Sequence, residues 1–210
     1  MTAVDARSWG FAEDFVELDE HLIAAREESA ALGLPPTSAG TLSALTFVAK
    51  AIDARHVVEI GTGAGACGLA LFKGMASDGV ITSIDSEADR QASARKLFTA
   101  AGLPSNRFRL IAGDALEVLP KLRDGAYDLV LIDGDKLEYP EYVAQALRLL
   151  RHGGVVVLNQ VLWGGAVADP DNEDDEAVIL REALQSVIDT EHFTASLLPV
   201  GDGLLVAVKD

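Results

Sequence analysis

Cysteine is nearly absent from this 210-residue chain, which has only Cys67, and no apolar run approaches membrane length. A lone thiol excludes an internal disulfide and a thiolate zinc cluster. A membrane helix needs roughly 20 consecutive apolar residues. The charged start Met1–Arg7 has no signal-like apolar stretch behind it, so a cytoplasmic protein is expected. Basic residues are also scarce, 17 against 33 acidic ones, for a net charge of −16. That field repels nucleic acid and anionic lipid, which leaves a small molecule as the expected partner. His21, His56, His152 and His192 are scattered without metal-ligand spacing.

What the chain does have is a core, with 49% hydrophobic residues, and a glycine cluster. Val57-Val58-Glu59-Ile60 runs into Gly61-Thr62-Gly63-Ala64-Gly65 and reopens as Leu69-Ala70-Leu71-Phe72. A buried strand, a turn too tight for side chains and a helix start bring backbone N–H groups up to a ligand. Gly61-x-Gly63-x-x-Ala66 with Asp85 beyond it also satisfies the dinucleotide fingerprint, so the glycines alone leave two readings open. Glu59 separates them, because an acid at the strand mouth suits cationic or hydroxylic ligand groups and repels a pyrophosphate.

Phe11, Phe15, Leu18, Leu22 and Ala25 predict one helix running to about Leu32, a candidate dimer contact, ended by Gly33 and Pro35-Pro36. Thr37–Thr41 reads as a loop and cap before a second helix carrying Leu42, Leu45, Val48 and Ile52. Strands are predicted at Val80–Ile84, Phe108–Ala112, Tyr127–Ile132 and Val155–Leu158, with helices at Ser86–Ala101 and Leu137–Leu150 and a reset at Gly153-Gly154. Alternating strand and helix indicates an α/β fold, a doubly wound, mostly parallel sheet covered on both faces. Thr194–Val200 and Leu204–Val208 around Gly201-Asp202-Gly203 predict a closing antiparallel hairpin. Successive strands end at Asp85, Asp114, Asp133 and Asn159-Gln160, which should meet in one crevice beyond the carboxyl ends of the strands. The acidic stretch Asp169–Glu176 lacks the calcium-loop glycine and reads as a solvated loop leading into a helix.

In combination, Val58-Glu59-Ile60-Gly61-Thr62-Gly63, Ser83-Ile84-Asp85, Gly113-Asp114-Ala115, Tyr127 through Lys136 and Gly153-Gly154-Val155 resemble the class I S-adenosylmethionine (SAM) methyltransferases. The chain is most similar to the catechol and caffeoyl-CoA type O-methyltransferases, notably their small bacterial members. The resemblance covers about Thr37 to the end. It implies a seven-stranded Rossmann-like methyltransferase domain over 1–210, with N-terminal helices in 1–53 and a SAM-binding core in 54–210. It also implies a homodimer and a small, hydroxylated, often aromatic acceptor.

By the same resemblance Glu59, Gly61, Thr62 and Gly63 line the methionine part of SAM, with Cys67 where relatives often have serine. Asp85 and Ser86 take the ribose side, and Asp114 and Ala115 border the adenine. Thr37 or Ser38 closes over the cofactor, while Asp133 and Asp135 face its ammonium and the acceptor. Lys136 matches the family's lysine base. The family's Mg²⁺ ligands map onto Asp133, Asn159 and Gln160, where relatives carry an Asp-Asn pair after the aspartate. Losing one carboxylate and lengthening the next side chain both disfavour a hard cation, so a tight catalytic metal is not expected. Two rivals remain at this point: a SAM-binding protein without turnover and an NAD-dependent oxidoreductase.

Overall fold

Val, Ile and Leu dominate five short segments, and such residues fit a sheet buried on both faces. In the computed structural model, which describes residues 5–210, they are strands β1 (His56–Ile60), β2 (Val80–Asp85), β3 (Phe108–Ala112), β4 (Tyr127–Ile132) and β5 (Leu150–Asn159). Met1–Val4, part of the charged start, lie outside the described residues. β6 (Phe193–Leu198) and β7 (Leu204–Lys209) form the closing hairpin. The sheet has seven strands in the order β3-β2-β1-β4-β5-β7-β6. β1 to β5 pair in parallel, and β7 runs antiparallel to both β5 and β6.

Strand periodicity sorts the core into two layers. Val57, Leu129, Leu131, Val155 and Val157 face helices α2 (Glu20–Ala31), α3 (Ala39–Ala51), α4 (Ala66–Gly74) and α5 (Ala88–Ala100). Their neighbours Val58, Ile60, Val130, Ile132, Val156 and Leu158 face α6 (Ala115–Val118), α7 (Tyr139–Leu149) and α8 (Asp175–Asp189). A one-residue slip in any strand would exchange the two sets, so the register is strongly specified. The chain reverses its direction across the sheet between β1 and β4. At such a switch point the strand ends leave an open crevice.

The structure departs from the expected elements in two places. The single helix expected from Phe11 to Leu32 is two: α1 (Ala6–Glu13), then α2 after a break at 14–19. Asp19 supplies the reason, since its carboxylate accepts from Leu22 N–H at 3.0 Å and starts a new helix. The acids Glu13, Asp14, Glu17, Asp19 and Glu20 would also crowd one continuous helix. Of the predicted stripe only Leu22 and Ala25 are buried, while Phe11 and Phe15 are exposed. The second departure is at Gly153-Gly154, which lie inside β5 rather than before it. Gly154 is needed there because a side chain would meet the carbonyls of Arg151 and Tyr127, and a register shift in the β4–β5 pairing marks the irregularity.

Far from the crevice, Asp128 ties three strands together. Its carboxylate accepts from the N–H groups of Arg55 and His56, each at 2.8 Å, and from Arg151 Nε at 2.6 Å. Partial burial pushes its pKa up, but the His56 and Arg55 amides and the Arg151 guanidinium outweigh that and hold it below the ordinary value. A depressed carboxyl stabilises the fold above its unfolded pKa, and that contribution is lost as pH falls through the folded value. Asp128→Ala leaves two strand amides without their acceptor and is expected to cost about 2–4 kcal/mol at pH 7. The gap between wild type and variant in urea melts should narrow below about pH 4.

Candidate active site

The crevice is a cavity of about 630 Å³ at the carboxyl ends of β1, β2, β3 and β4, a size ordinary for small-molecule sites. Its floor is the turn between β1 and α4. Gly61, Gly63 and Gly65 all have positive φ, and a Cβ on Gly61 would run into the carbonyl of Asp133. The turn is pinned by Gly61 N–H to Ile84 O at 2.8 Å and by Gly63 N–H to the Asp85 carboxylate at 2.9 Å. Gly61, Thr62, Gly63, Ala64, Ala66 and Cys67 thus present backbone and small side chains to the cavity.

Thr37, Gly61, Thr62, Gly63, Cys67, Asp85, Ser86, Asp114, Ala115, Asp133, Asp135, Lys136 and Gln160 are brought together on the cavity wall. Glu59, Ser38 and Asn159 are not part of that wall. Ser38 instead caps α3, accepting from Thr41 N–H at 3.1 Å. Glu59 is fully buried beneath the glycine turn. Its Oε2 accepts from Ser83 Oγ at 2.5 Å. Ser83 Oγ lies 2.6 Å from Thr62 Oγ1, which accepts from Gln91 Nε2 at 2.8 Å. Pointing inward from the strand, Glu59 lies at the underside of the loop in the ligand-free structure, off the cavity wall where a direct contact was expected. The electrostatic case against a pyrophosphate therefore passes to the acids on the wall itself, Asp85, Asp114, Asp133 and Asp135.

Burial, and then the nearby Asp133 and Asp85 charges, push the Glu59 carboxyl up to about 8 despite the Ser83 hydrogen bond. Its Oε1 is buried with no partner among the described residues. Burial thus favours the protonated form of Glu59 in the ligand-free protein.

Asp133 and Lys136 form the second cluster. Lys136 Nζ lies 3.5 Å from Asp133 Oδ1, donates to Tyr139 Oη at 2.6 Å and approaches the Gly134 carbonyl at 3.4 Å. The Tyr139 hydroxyl donates to the Asn159 carbonyl at 2.9 Å. Burial lowers the Lys136 pKa against the opposing pull of Asp133, and burial raises that of Asp133 against the pull of Lys136.

The same contacts decide the metal question. Asn159 Nδ2 donates to Asp133 Oδ2 at 3.0 Å, so the amide turns a donor toward the carboxylate that would be the first metal ligand. The other oxygen faces the Lys136 ammonium. Among the described residues no three His, Cys, Asp or Glu side chains converge as metal ligands. Asp133, Asn159 and Gln160 do not fit a divalent cation.

The rim is built by parts with weak sequence signals. Glu13 at the end of α1 accepts from the N–H groups of Gly40, at 3.2 Å, and Gly201, which joins α3 to the hairpin turn. Asp202 in that turn accepts from Gly164 N–H at 2.9 Å and so positions the segment carrying Trp163. Ser29, Leu34, Arg90, Tyr142, Trp163 and Glu176 also line the cavity. Arg90, in the first turn of α5, meets Asp85 at the end of β2 at 3.5 Å.

A raised carboxyl pKa makes the folded state the tighter proton binder, so stability is lost as pH rises from the unfolded value toward about 8. Ligand-free protein is expected to lose on the order of a few kcal/mol between pH 5 and pH 8.5 through Glu59. Glu59→Gln should flatten that slope in thermal melts; an unchanged slope would place the titration elsewhere.

The profile of the O-methyltransferase family matches residues 16–210. A Mycobacterium tuberculosis protein named as a probable O-methyltransferase is 43% identical over 202 residues, covering 96% of this chain and 90% of its own. Among solved structures, the O-methyltransferase TomG of Streptomyces achromogenes, in complex with SAM, superposes with a TM-score of 0.87 at 30% identity. That match covers 98% of this chain and 99% of TomG. A Bacillus cereus O-methyltransferase in complex with S-adenosylhomocysteine (SAH) gives 0.86 at 25% identity, covering 97% and 99%. With its sheet order, its glycine turn and its strand-end acids, the chain belongs to the O-methyltransferase family.

Proposed function

We propose that the protein transfers a methyl group from SAM to a hydroxyl oxygen of a small, aromatic acceptor, without a tightly bound metal. The observation that carries this reading is the single cavity in which a positive-φ glycine turn faces Asp85, Asp114, Asp133 and Asp135. These acceptor-only oxygens suit ribose hydroxyls and an ammonium. Gly61 and Gly63 let the backbone come close. Asp85 and Ser86 would hold the ribose, Asp114 and Ala115 the adenine, and Thr37, Cys67, Asp133 and Asp135 the methionine end. When bound, SAM supplies a strongly electrophilic methyl group.

The chain's own task is to orient the acceptor oxygen and remove its proton. A phenol with a pKa near ~10 is mostly protonated at pH 7. Lys136 is suited to take that proton: burial favours its neutral amine, Tyr139 and Gly134 fix Nζ, and Asp133 stabilises the ammonium that results. Activity should therefore rise with pH as Lys136 loses its proton, at a pH below the ordinary lysine value.

Two further parts of the reading concern the whole molecule. The exposed apolar side chains Phe11, Phe15, Val16 and Phe47 on and beside the N-terminal helices support a homodimer. Light scattering is expected to give twice the chain mass, and Phe11→Glu/Phe15→Glu to shift it toward the monomer. Cytoplasmic residence rests on Cys67, a free buried thiol. Among the described residues no helix is long and apolar enough to cross a membrane.

The test is a screen of catechols and simple phenols with labelled SAM. Turnover is expected with chelator present as well as with Mg²⁺. Lys136→Met should lower kcat by about 10²- to 10⁴-fold while SAM binding persists. Turnover abolished by chelator would contradict the metal-free reading, and full activity in Lys136→Met would remove the lysine from the proton transfer.

A further inference from the structure

Charge on the cavity wall is one-sided, and that bears on which acceptors can enter. Asp85, Asp114, Asp133 and Asp135, assigned above to SAM, line it together with Glu138 and Glu176, which are left for the acceptor, and among the described residues the lining cations are Arg90 and Lys136. Both cations are already engaged, Arg90 with Asp85 and Lys136 with Asp133, each at 3.5 Å. Arg26, one helical turn before Ser29, is not part of the wall. Among the described residues no lining cation is left to meet a carboxylate or phosphate on an incoming molecule. SAM brings one net positive charge, too little to reverse the excess.

Acidic character continues in the chain beside the wall. Trp163 and Glu176 both line the cavity, and the chain between them holds the acidic segment Asp169-Pro170-Asp171-Asn172-Glu173-Asp174-Asp175. α8, which starts at Asp175, packs against the turns at Trp163–Ala168 and Lys136–Glu138, so this segment leads from one lining residue to the next without itself lining the cavity. None of its carboxylates is in an ion pair among the described residues. Arg181, the arginine beneath it, donates to the main-chain carbonyls of Asp169 and Asn172 instead. Glu176 likewise has no hydrogen-bond or ion-pair partner among the described residues. A low-dielectric cleft lined by one sign of charge focuses its field on whatever enters.

We infer that the acceptor is selected by charge: the site takes a hydroxylated aromatic that is uncharged or carries an amine, and rejects carboxylated phenols and CoA thioesters. Glu176 on the wall is the specificity-determining residue, and the acidic segment 169–175 that leads into it adds to the field. This rests on the methyl-transfer reading above. A CoA thioester would bring several phosphate charges to a wall with no free cation among the described residues.

Three catechols of matched size test it, bearing a 2-aminoethyl, a propyl or a carboxyethyl group on the ring. At low ionic strength kcat/KM should fall in that order, with about tenfold or more between the amine and the carboxylate. Raising salt from about 0.01 M to 0.15 M shortens the screening length from roughly 30 Å to 8 Å and should shrink the ratio. Glu176→Gln, and separately Asp171→Asn/Glu173→Gln, should each reduce the amine-to-carboxylate ratio. SAM binding is measured calorimetrically on the same samples. If SAM binds and the carboxylate is methylated as fast as the amine, charge selection is overturned and methyl transfer stands. If SAM binds and none of the three is methylated, the acceptor reading falls and the inference with it. If SAM does not bind, the functional reading itself fails.

Discussion

The site depends on how closely the turn after β1 lies against the end of β4. Gly61 touches the Asp133 carbonyl with no room for a side chain, and Asp133 N–H in turn donates to Ile60 O at 2.8 Å. This contact sets the distance between the glycine turn and the Asp133–Lys136 pair, the two halves of the proposed chemistry. The neighbouring strands reinforce it: Asp85 at the end of β2 holds Gly63 N–H, and Ser83 on the same strand reaches Glu59 under the turn. The pocket is a consequence of parallel strands ending together at a topological switch, with small residues where side chains would fill it.

A second layer tunes the first. The Asn159 amide, the Lys136 ammonium and the Cys67 thiol surround one carboxylate, Asp133, in a buried setting. An ammonium and an amide donor satisfy this carboxylate without a metal. The same arrangement suits the lysine to the proposed proton transfer, because burial favours its neutral form while Asp133 limits the cost of charging it. Glu59 is a different case. Buried beneath the turn, it buttresses the loop through Ser83 and Thr62.

Much of this was legible in the residues. Short continuous apolar runs between turn residues gave the parallel strands to within a few residues, and Gly201-Asp202-Gly203 gave the hairpin, because both signals are local. The strand-end acids converged as expected, since topology alone brings the ends of parallel strands together. What could not be read depended on tertiary direction. Glu59 was placed at the mouth from its spacing to Gly61, but β-strand alternation turned it beneath the loop. The break between α1 and α2 was hidden by an apolar stripe whose first members, Phe11 and Phe15, face outward. The rim is assembled from Glu13, Gly40, Gly201, Asp202 and Gly164, residues far apart in sequence and joined by hydrogen bonds from backbone N–H groups to the Glu13 and Asp202 carboxylates, which no local pattern announces.

At the centre stands one claim, that acids at the ends of parallel strands hold a cationic methyl donor rather than a phosphate-linked coenzyme. Isothermal titration of the purified protein with SAM and, separately, with NAD tests it most directly. The account predicts saturable binding of SAM and none of NAD at equal concentration; binding of NAD without SAM would contradict it.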